Sequence, residues 1–404
     1  MLWRRTSRLS PKQIRYLIIY KLTSIKRTKL MIKRLLFSIT LVFCSNFANA
    51  SNHIEQYNQL KENIKTKYDT SFGIDLSYTT QTTSSNTLFR SFLTPYLNKT
   101  ISNNHLGKTS FNFSTNIVRF FNSTPKDIAS QKNIATLFNN YDTDYNELYE
   151  LYFAHTFSNK YKWITLGLGQ IPISKFDSPI TDSRQTHYFL NSALAQNTTF
   201  TYPTSGIGAF TELKLNQNLI LNLGTIDATN PLANSVHFKN FDKYSSFISI
   251  NYTPKIKNEY QGSYSLLIYD KPSVSKAPFS SQGWSLYTAQ NISNNHSIFF
   301  RLNGATSNFP IINRSYSLGM LYNNPFNRPF NDTLGIAFST NRINKKATTN
   351  TIYNKYEHII ETYYDYKINN RLSIRPDLQL YLNQGFTKNS SPNAIFSLSI
   401  NLSL

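Results

Sequence analysis

The chain is poor in what most secreted enzymes and helical membrane proteins need. Its 404 residues hold one cysteine, Cys44, and 13 glycines. A lone thiol forms no disulfide framework and no thiolate metal site. Long apolar runs are also missing. The one clear apolar stretch, Leu35 to Phe43, spans nine residues, against the roughly 20 that a membrane-spanning helix requires. A short basic start (Met31, Ile32, Lys33, Arg34) precedes it and Ala48-Asn49-Ala50 follows it. That order is the pattern of a secretory signal peptide over 31–50, with cleavage after Ala50. Cleavage there would remove Cys44 as well. Residues 1–30, basic and without an acid, read as an upstream extension from a misassigned start. A basic arm that touches nucleic acid or anionic lipid is the costlier explanation. Acids are scarce throughout, 21 against 42 basic residues. Eleven of the basic residues lie before Leu35, so the exported chain carries 31 against 21, or +10. Catalytic signatures are lacking too. The seven histidines stand singly at 53, 105, 155, 187, 237, 296 and 358, with no Gly-x-Ser-x-Gly and no His-Glu-x-x-His. Neither an enzyme, a metal nor a cofactor is therefore expected, and no nucleic-acid partner.

What is abundant is aromatic and polar: 27 Tyr and 29 Phe among many Asn, Ser and Thr. A wall between lipid and water needs apolar residues at every second position and aromatic girdles at its edges. Alternation is accordingly the main signal. At the C-terminus, Phe396, Leu398, Ile400, Leu402 and Leu404 share one face, while Ser397, Ser399, Asn401 and Ser403 share the other. Near the start, Phe72, Ile74, Leu76 and Tyr78 oppose Gly73, Asp75, Ser77 and Thr79. Similar runs include Tyr149, Leu151, Phe153 and Phe157, then Leu334, Ile336 and Phe338, then Leu372, Ile374, Leu378 and Leu380. About sixteen such strands are counted, the least regular near 88–97. Short polar turns at 158–160, 216–218, 255–258, 293–295 and 369–370 alternate with longer connections at 121–145, 171–204, 228–243, 270–281, 341–354 and 383–393. This alternation fits a barrel with periplasmic turns and external loops, and not a sandwich. The fold class expected is all-β, a transmembrane antiparallel β-barrel over 72–404. A short periplasmic segment at 51–71 precedes it, helical over 53–66.

Sixteen strands enclose water unless something fills the lumen. The 171–204 connection is long enough to be functional. It offers Phe176, Asp177, Asp182, Arg184, His187 and Phe189 as constriction residues on an inward-folding loop. Parity then places Glu150, Tyr152, Arg301, Glu361, Tyr363, Asp365, Arg375, Asp377, Gln379 and Tyr381 on the lumen face. Opposed charges beside aromatic rings can replace the hydration of a passing polar solute.

The segments GQIPISKFDS (169–178), HYFLNSALAQN (187–197) and YPTSGIGAF (202–210) occur in an order that resembles the carbohydrate-selective porin family, also called OprB-like. GIDLSYT (73–79), ELYFAHTF (150–157), QGWSLYTAQNI (282–292) and ETYYDYKINNRLSIRPDLQLYLNQG (361–385) are similar to its other strands. The resemblance implies a sixteen-stranded outer-membrane porin of a Gram-negative bacterium, passing small polar solutes, monosaccharides above all, by passive or facilitated diffusion. Its partners would be outer-membrane lipid and lipopolysaccharide, the solute itself, and the barrel-assembly machinery through the closing strand. Monomer and homotrimer stay open. The alternatives are a general diffusion porin without sugar selectivity and an adhesin or structural barrel.

Overall fold

The computed structural model describes residues 47–177, 188–230, 233, 243–256, 259–275, 277–306, 308–388 and 391–404. The expected upstream extension and most of the expected signal peptide lie outside these. The chain divides at Lys67/Tyr68 into two compact units. The first contains all but the last residue of helix α1, Phe47–Tyr68, which begins before the expected cleavage point and is longer than the 53–66 helix read from spacing.

The second unit is one antiparallel sheet closed on itself. Its strands are β1 (Thr70–Thr82), β2 (Thr87–Asn104), β3 (Gly107–Phe121), β4 (Tyr145–Phe157), β5 (Ile164–Ile171), β6 (Gly206–Lys214), β7 (Leu219–Asp227) and β8 (Tyr244–Tyr252). They continue as β9 (Lys255–Ile256), β10 (Tyr260–Lys271), β11 (Ser281–Asn291), β12 (His296–Ala305), β13 (Ile312–Asn323), β14 (Thr333–Ile343), β15 (Tyr356–Lys367), β16 (Leu372–Tyr381) and β17 (Asn393–Ser403). β9 has two residues and only extends the turn into β10. The other sixteen pair with their sequence neighbours, and β17 pairs back onto β1 from Asp75↔Ser403 to Thr82↔Phe396. Closure leaves no free sheet edge, which is what lets β-structure cross lipid. β2, the least regular strand by sequence, is the longest, 18 residues.

The two faces sort as alternation requires. Phe396, Leu398 and Ile400 are exposed, whereas Ser397, Ser399 and Asn401 are buried within the barrel. The same holds for Ile74 and Tyr78 against Asp75, Ser77 and Thr79. Connections also sort by end. Those at 122–144, 172–205, 228–243, 272–280, 344–355 and 382–392 share one end, and those at 105–106, 158–163, 215–218, 292–295 and 368–371 share the other, with the ends of β1 and β17 that bound the barrel chain. Three connections break the length rule: the tight 83–86 hairpin and the short 306–311 connection at the long-loop end, and the 324–332 loop at the short-turn end.

One parity assignment is corrected. Between Ser114 and Thr115 the β3–β4 register shifts, so that Ser114 faces Glu150 and Thr115 faces Leu148. Tyr149 is the extra residue of this bulge. Its hydroxyl lies 2.7 Å from Ser174 Oγ on the β5–β6 loop, so it does not join Leu151 and Phe153 on the lipid face. A bulge re-aims a side chain that strict period two would send outward.

Candidate functional site

The lumen-facing candidates lie where parity puts them, in two groups on different parts of the wall. On β15 and β16, Glu361 pairs in register with Gln379 and Tyr363 with Asp377. Glu361, Tyr363, Asp365, Arg375, Asp377, Gln379 and Tyr381 are all buried inside the barrel. Arg301 on β12 is buried too, its guanidinium 5.0 Å from the Tyr287 ring. Glu150 and Tyr152 form the second group on β4.

The β5–β6 connection joins both groups by folding into the barrel. It leaves β5 through a 3-10 turn, Ile173–Phe176. Phe176 stacks on Phe247 with ring centroids 4.6 Å apart and meets Phe210 edge-on at 5.2 Å. Room for the Phe210 ring exists because position 167 is glycine; a Cβ there would sit 2.0 Å from a ring carbon. Next comes Asp177, whose carbonyl accepts a short hydrogen bond from Ser265. Burial raises the Asp177 carboxyl above the ordinary aspartate value, with Arg301 pulling it down. Asp182, Arg184 and His187 lie outside the described residues.

The loop re-emerges on the β15–β16 wall. Arg375 donates to the carbonyl of Tyr188 at 2.7 Å. Phe189 packs edge-on against Tyr363 at 5.0 Å and, tilted, against Phe299 at 5.6 Å. The backbone N–H groups of Leu190 and Asn191 both donate to the Glu361 carboxylate, at 2.5 and 3.0 Å. Asn191 also donates from its side chain to Gln379 and Tyr381 at 3.0 and 2.8 Å. It then caps a one-turn helix, α2, Ser192–Ala195, whose Ala193 carbonyl accepts from Ser317. Backbone groups buried away from water must find partners, and here the lumen side chains of the wall supply them.

A second connection folds inward that the sequence reading had treated as an ordinary outer loop. Residues 122–144 open with Thr124 and Asp127 in a reciprocal capping box ahead of the helix Pro125–Gln131. Ile128, Ile134 and Phe138 then pack with Leu88, Ile359, Tyr381 and Ile395 of the wall. Glu357 accepts from the backbone N–H groups of Ala135, Thr136 and Gly385 at 2.9, 2.7 and 3.2 Å. Tyr381 donates to the Thr136 carbonyl and Gln379 to that of Phe138. The two loops touch where Ser192 N–H donates to Leu137 O at 3.0 Å. The run Ile134-Ala135-Thr136-Leu137-Phe138 was the signal for this: a loop facing water has no use for it.

Lys175 is the other residue that sequence reasoning passed over. Its ammonium lies 3.1 Å from a Glu150 carboxylate oxygen and 4.6 Å from the centre of the Tyr152 ring, and makes a short bond to the Tyr152 hydroxyl. Desolvation opposes the charge, but Glu150 and Tyr152 outweigh it and hold Lys175 above the ordinary lysine value. The Lys175 and Glu150 side chains keep 36% and 20% of their surface exposed although both project inside the barrel. They therefore border water there. A cation and an anion are thus presented side by side to an aqueous interior, over the buried Tyr152 ring. Among the described residues no group of three or more His, Cys, Asp or Glu side chains is placed to hold a metal ion.

Comparison with known proteins places this geometry. The sequence profile of the carbohydrate-selective porins of the OprB family matches residues 104–404. Porin AaxA of Chlamydia pneumoniae is 32% identical over 301 residues, covering 74% of this chain and 68% of the relative. Porin AaxA of Chlamydia felis is 30% identical over 299 residues, covering 74% and 67%. Among solved structures, the high-pH form of Pseudomonas putida OprB superposes with a TM-score of 0.70 at 13% identity, over 86% of this chain and 97% of that one. At that identity the structural likeness speaks for the fold, a closed sixteen-stranded barrel, and the sequence profile for the family. This chain belongs to the OprB family of carbohydrate-selective porins and is an outer-membrane porin.

Proposed function

We propose that this porin conducts small polar solutes, monosaccharides foremost, along a path bordered by Glu150 and Lys175, with Tyr152 behind them, and narrowed by the inward β5–β6 loop. The observation that carries this reading is the water-bordering cluster on β4, where Lys175 spans Glu150 and the Tyr152 ring. A sugar needs donors and acceptors for its hydroxyls, and Lys175 and Glu150 offer both, held in place by the buried Tyr152 ring behind them. Phe176 and Phe189 act as the two footings of the loop, one on each wall. The segment between them, with Asp182, Arg184 and His187, is assigned to the constriction by its position in the chain.

Planar-bilayer conductance of the refolded protein tests this, titrated with glucose and with a neutral amino acid as control. Saturable block by glucose alone is expected. Conductance without block would make it a general diffusion porin, and absence of conductance would favour an adhesin or structural barrel.

A further inference from the structure

The outer wall carries a charged cluster that the pore does not use. At the long-loop rim, Arg314 on β13 stands directly opposite Arg342 on β14. Both are on the lipid side: Arg314 continues the exposed row of Tyr316, Leu318 and Met320, and half-buried Arg342 continues the outward row of exposed Ile336 and half-buried Phe338 and Thr340. Residues opposed in this way have Cα atoms about 4.5–5.5 Å apart, and like charges there repel. Neither guanidinium has an ion pair or a side-chain hydrogen bond among the described residues. Lys345 and Lys346 follow in an exposed 3-10 turn, and exposed Lys355 holds its ammonium 5.5 Å from the Tyr356 ring. The only acid in residues 306–356 is Asp332, at the opposite end of β14.

Below the arginines on the same strands lies an apolar groove of about 580 Å³, lined by Ile298, Phe300, Leu318, Met320, Ile336 and Phe338. Leu318 and Phe338 are each four residues down the strand from an arginine, about 13 Å at roughly 3.3 Å per residue. Tyr316, opposite Thr340, bridges the interval, and Thr340 bonds the His358 ring. Paired cations above an apolar channel match a molecule that is phosphorylated at one end and acylated at the other. An anion placed between the guanidiniums would also relieve their repulsion and take bidentate bonds from each.

We propose that this face of β12–β15 binds one molecule of a phosphorylated, acylated glycolipid of the outer leaflet, the lipid A part of lipopolysaccharide. Its phosphate lies between Arg314 and Arg342 and its chains lie in the groove. The choice of outer-leaflet glycolipid over phospholipid rests on the orientation with the long loops outside, and not on the pore reading.

The test is native mass spectrometry of the refolded, detergent-solubilised protein. It is titrated with bis-phosphorylated lipid A, dephosphorylated lipid A and phosphatidylglycerol. The wild type is expected to retain one bis-phosphorylated lipid A. Arg314→Ser/Arg342→Ser should bind it at least about tenfold more weakly, as two charge-assisted contacts are lost. Phe338→Gln in the groove should weaken it as well, and dephosphorylated lipid A should bind the wild type no better than the double variant binds the intact lipid. Heat-modifiable mobility on gels and unchanged conductance show that each variant is folded. Equal lipid A binding by wild type and double variant overturns the proposal. So does a preference for phosphatidylglycerol, which would put this rim in the inner leaflet. Loss of glucose block with lipid A binding intact would fail the solute reading alone.

Discussion

Glu361 should hold the β5–β6 loop against the wall, and its replacement is the most direct perturbation of the pore. Its two carboxylate oxygens accept from Leu190 N–H and Asn191 N–H inside a buried site. A buried donor left unsatisfied costs about 1–3 kcal/mol, so Glu361→Leu, which strands two backbone N–H groups, removes about 2–6 kcal/mol of anchoring. Relief of the neighbouring Asp377 carboxylate offsets part of this. Glu361→Gln keeps one acceptor and turns an NH2 toward the other N–H, so about half the loss is expected. At about 1.4 kcal/mol per factor of ten, a loss of about 3 kcal/mol raises the detached population roughly a hundredfold. Arg375, through the Tyr188 carbonyl, and the Asn191 side chain still tether the segment, so the loop should flicker and not leave. The backbone ladders of β15 do not involve this side chain, and barrel closure should survive. Single-channel recordings should show larger mean conductance and fast current steps in the order Glu361→Leu, then Glu361→Gln, then wild type. Limited proteolysis should cut within 171–204 in the same order. Glu361→Leu with wild-type current traces and a wild-type digestion pattern would refute the anchoring argument.

Two further outcomes follow from the loop's other footing. Lys175→Met leaves Glu150 facing water without its cation, so reversal potentials in a salt gradient should move toward cation preference, and Glu150→Gln should move them the other way; no movement in either would remove the cluster from the conduction path. Burial raises the Asp177 carboxyl, so the folded loop favours its protonated form, and its contribution to stability falls as pH rises above the ordinary value of 3.8. Asp177→Asn should flatten that dependence when thermal unfolding is followed from acid to neutral pH, and an unchanged pH profile would show that another group sets it.

The wall was legible because one physical rule governs it. A side chain on a barrel strand meets either lipid or lumen, and Phe396 against Ser397, or Leu378 against Gln379, declare their sides in single residues. Tyr149 was misplaced because a bulge is decided by the local ladder and leaves no trace in alternation. The inward course of 171–204 could be expected from its length and mixed chemistry. The same course of 122–144 was not, because its anchor is Glu357, more than two hundred residues away. Lys175 was overlooked for a related reason: surface lysines are common, and only the fold shows that this one projects into an enclosed aqueous space beside Glu150.

The seam between β1 and β17 has a consequence for assembly. Ser77 and Asn401, bonded across it, are 324 residues apart in the chain. Bringing ends that distant together costs roughly 5 kcal/mol in loop-closure entropy, and the eight register pairs of the seam must offset it at once. No barrel that lacks β17 can form this contact. Without β17 the wall would be an open sheet with two exposed edges, and truncation within 393–403 should leave it in that state.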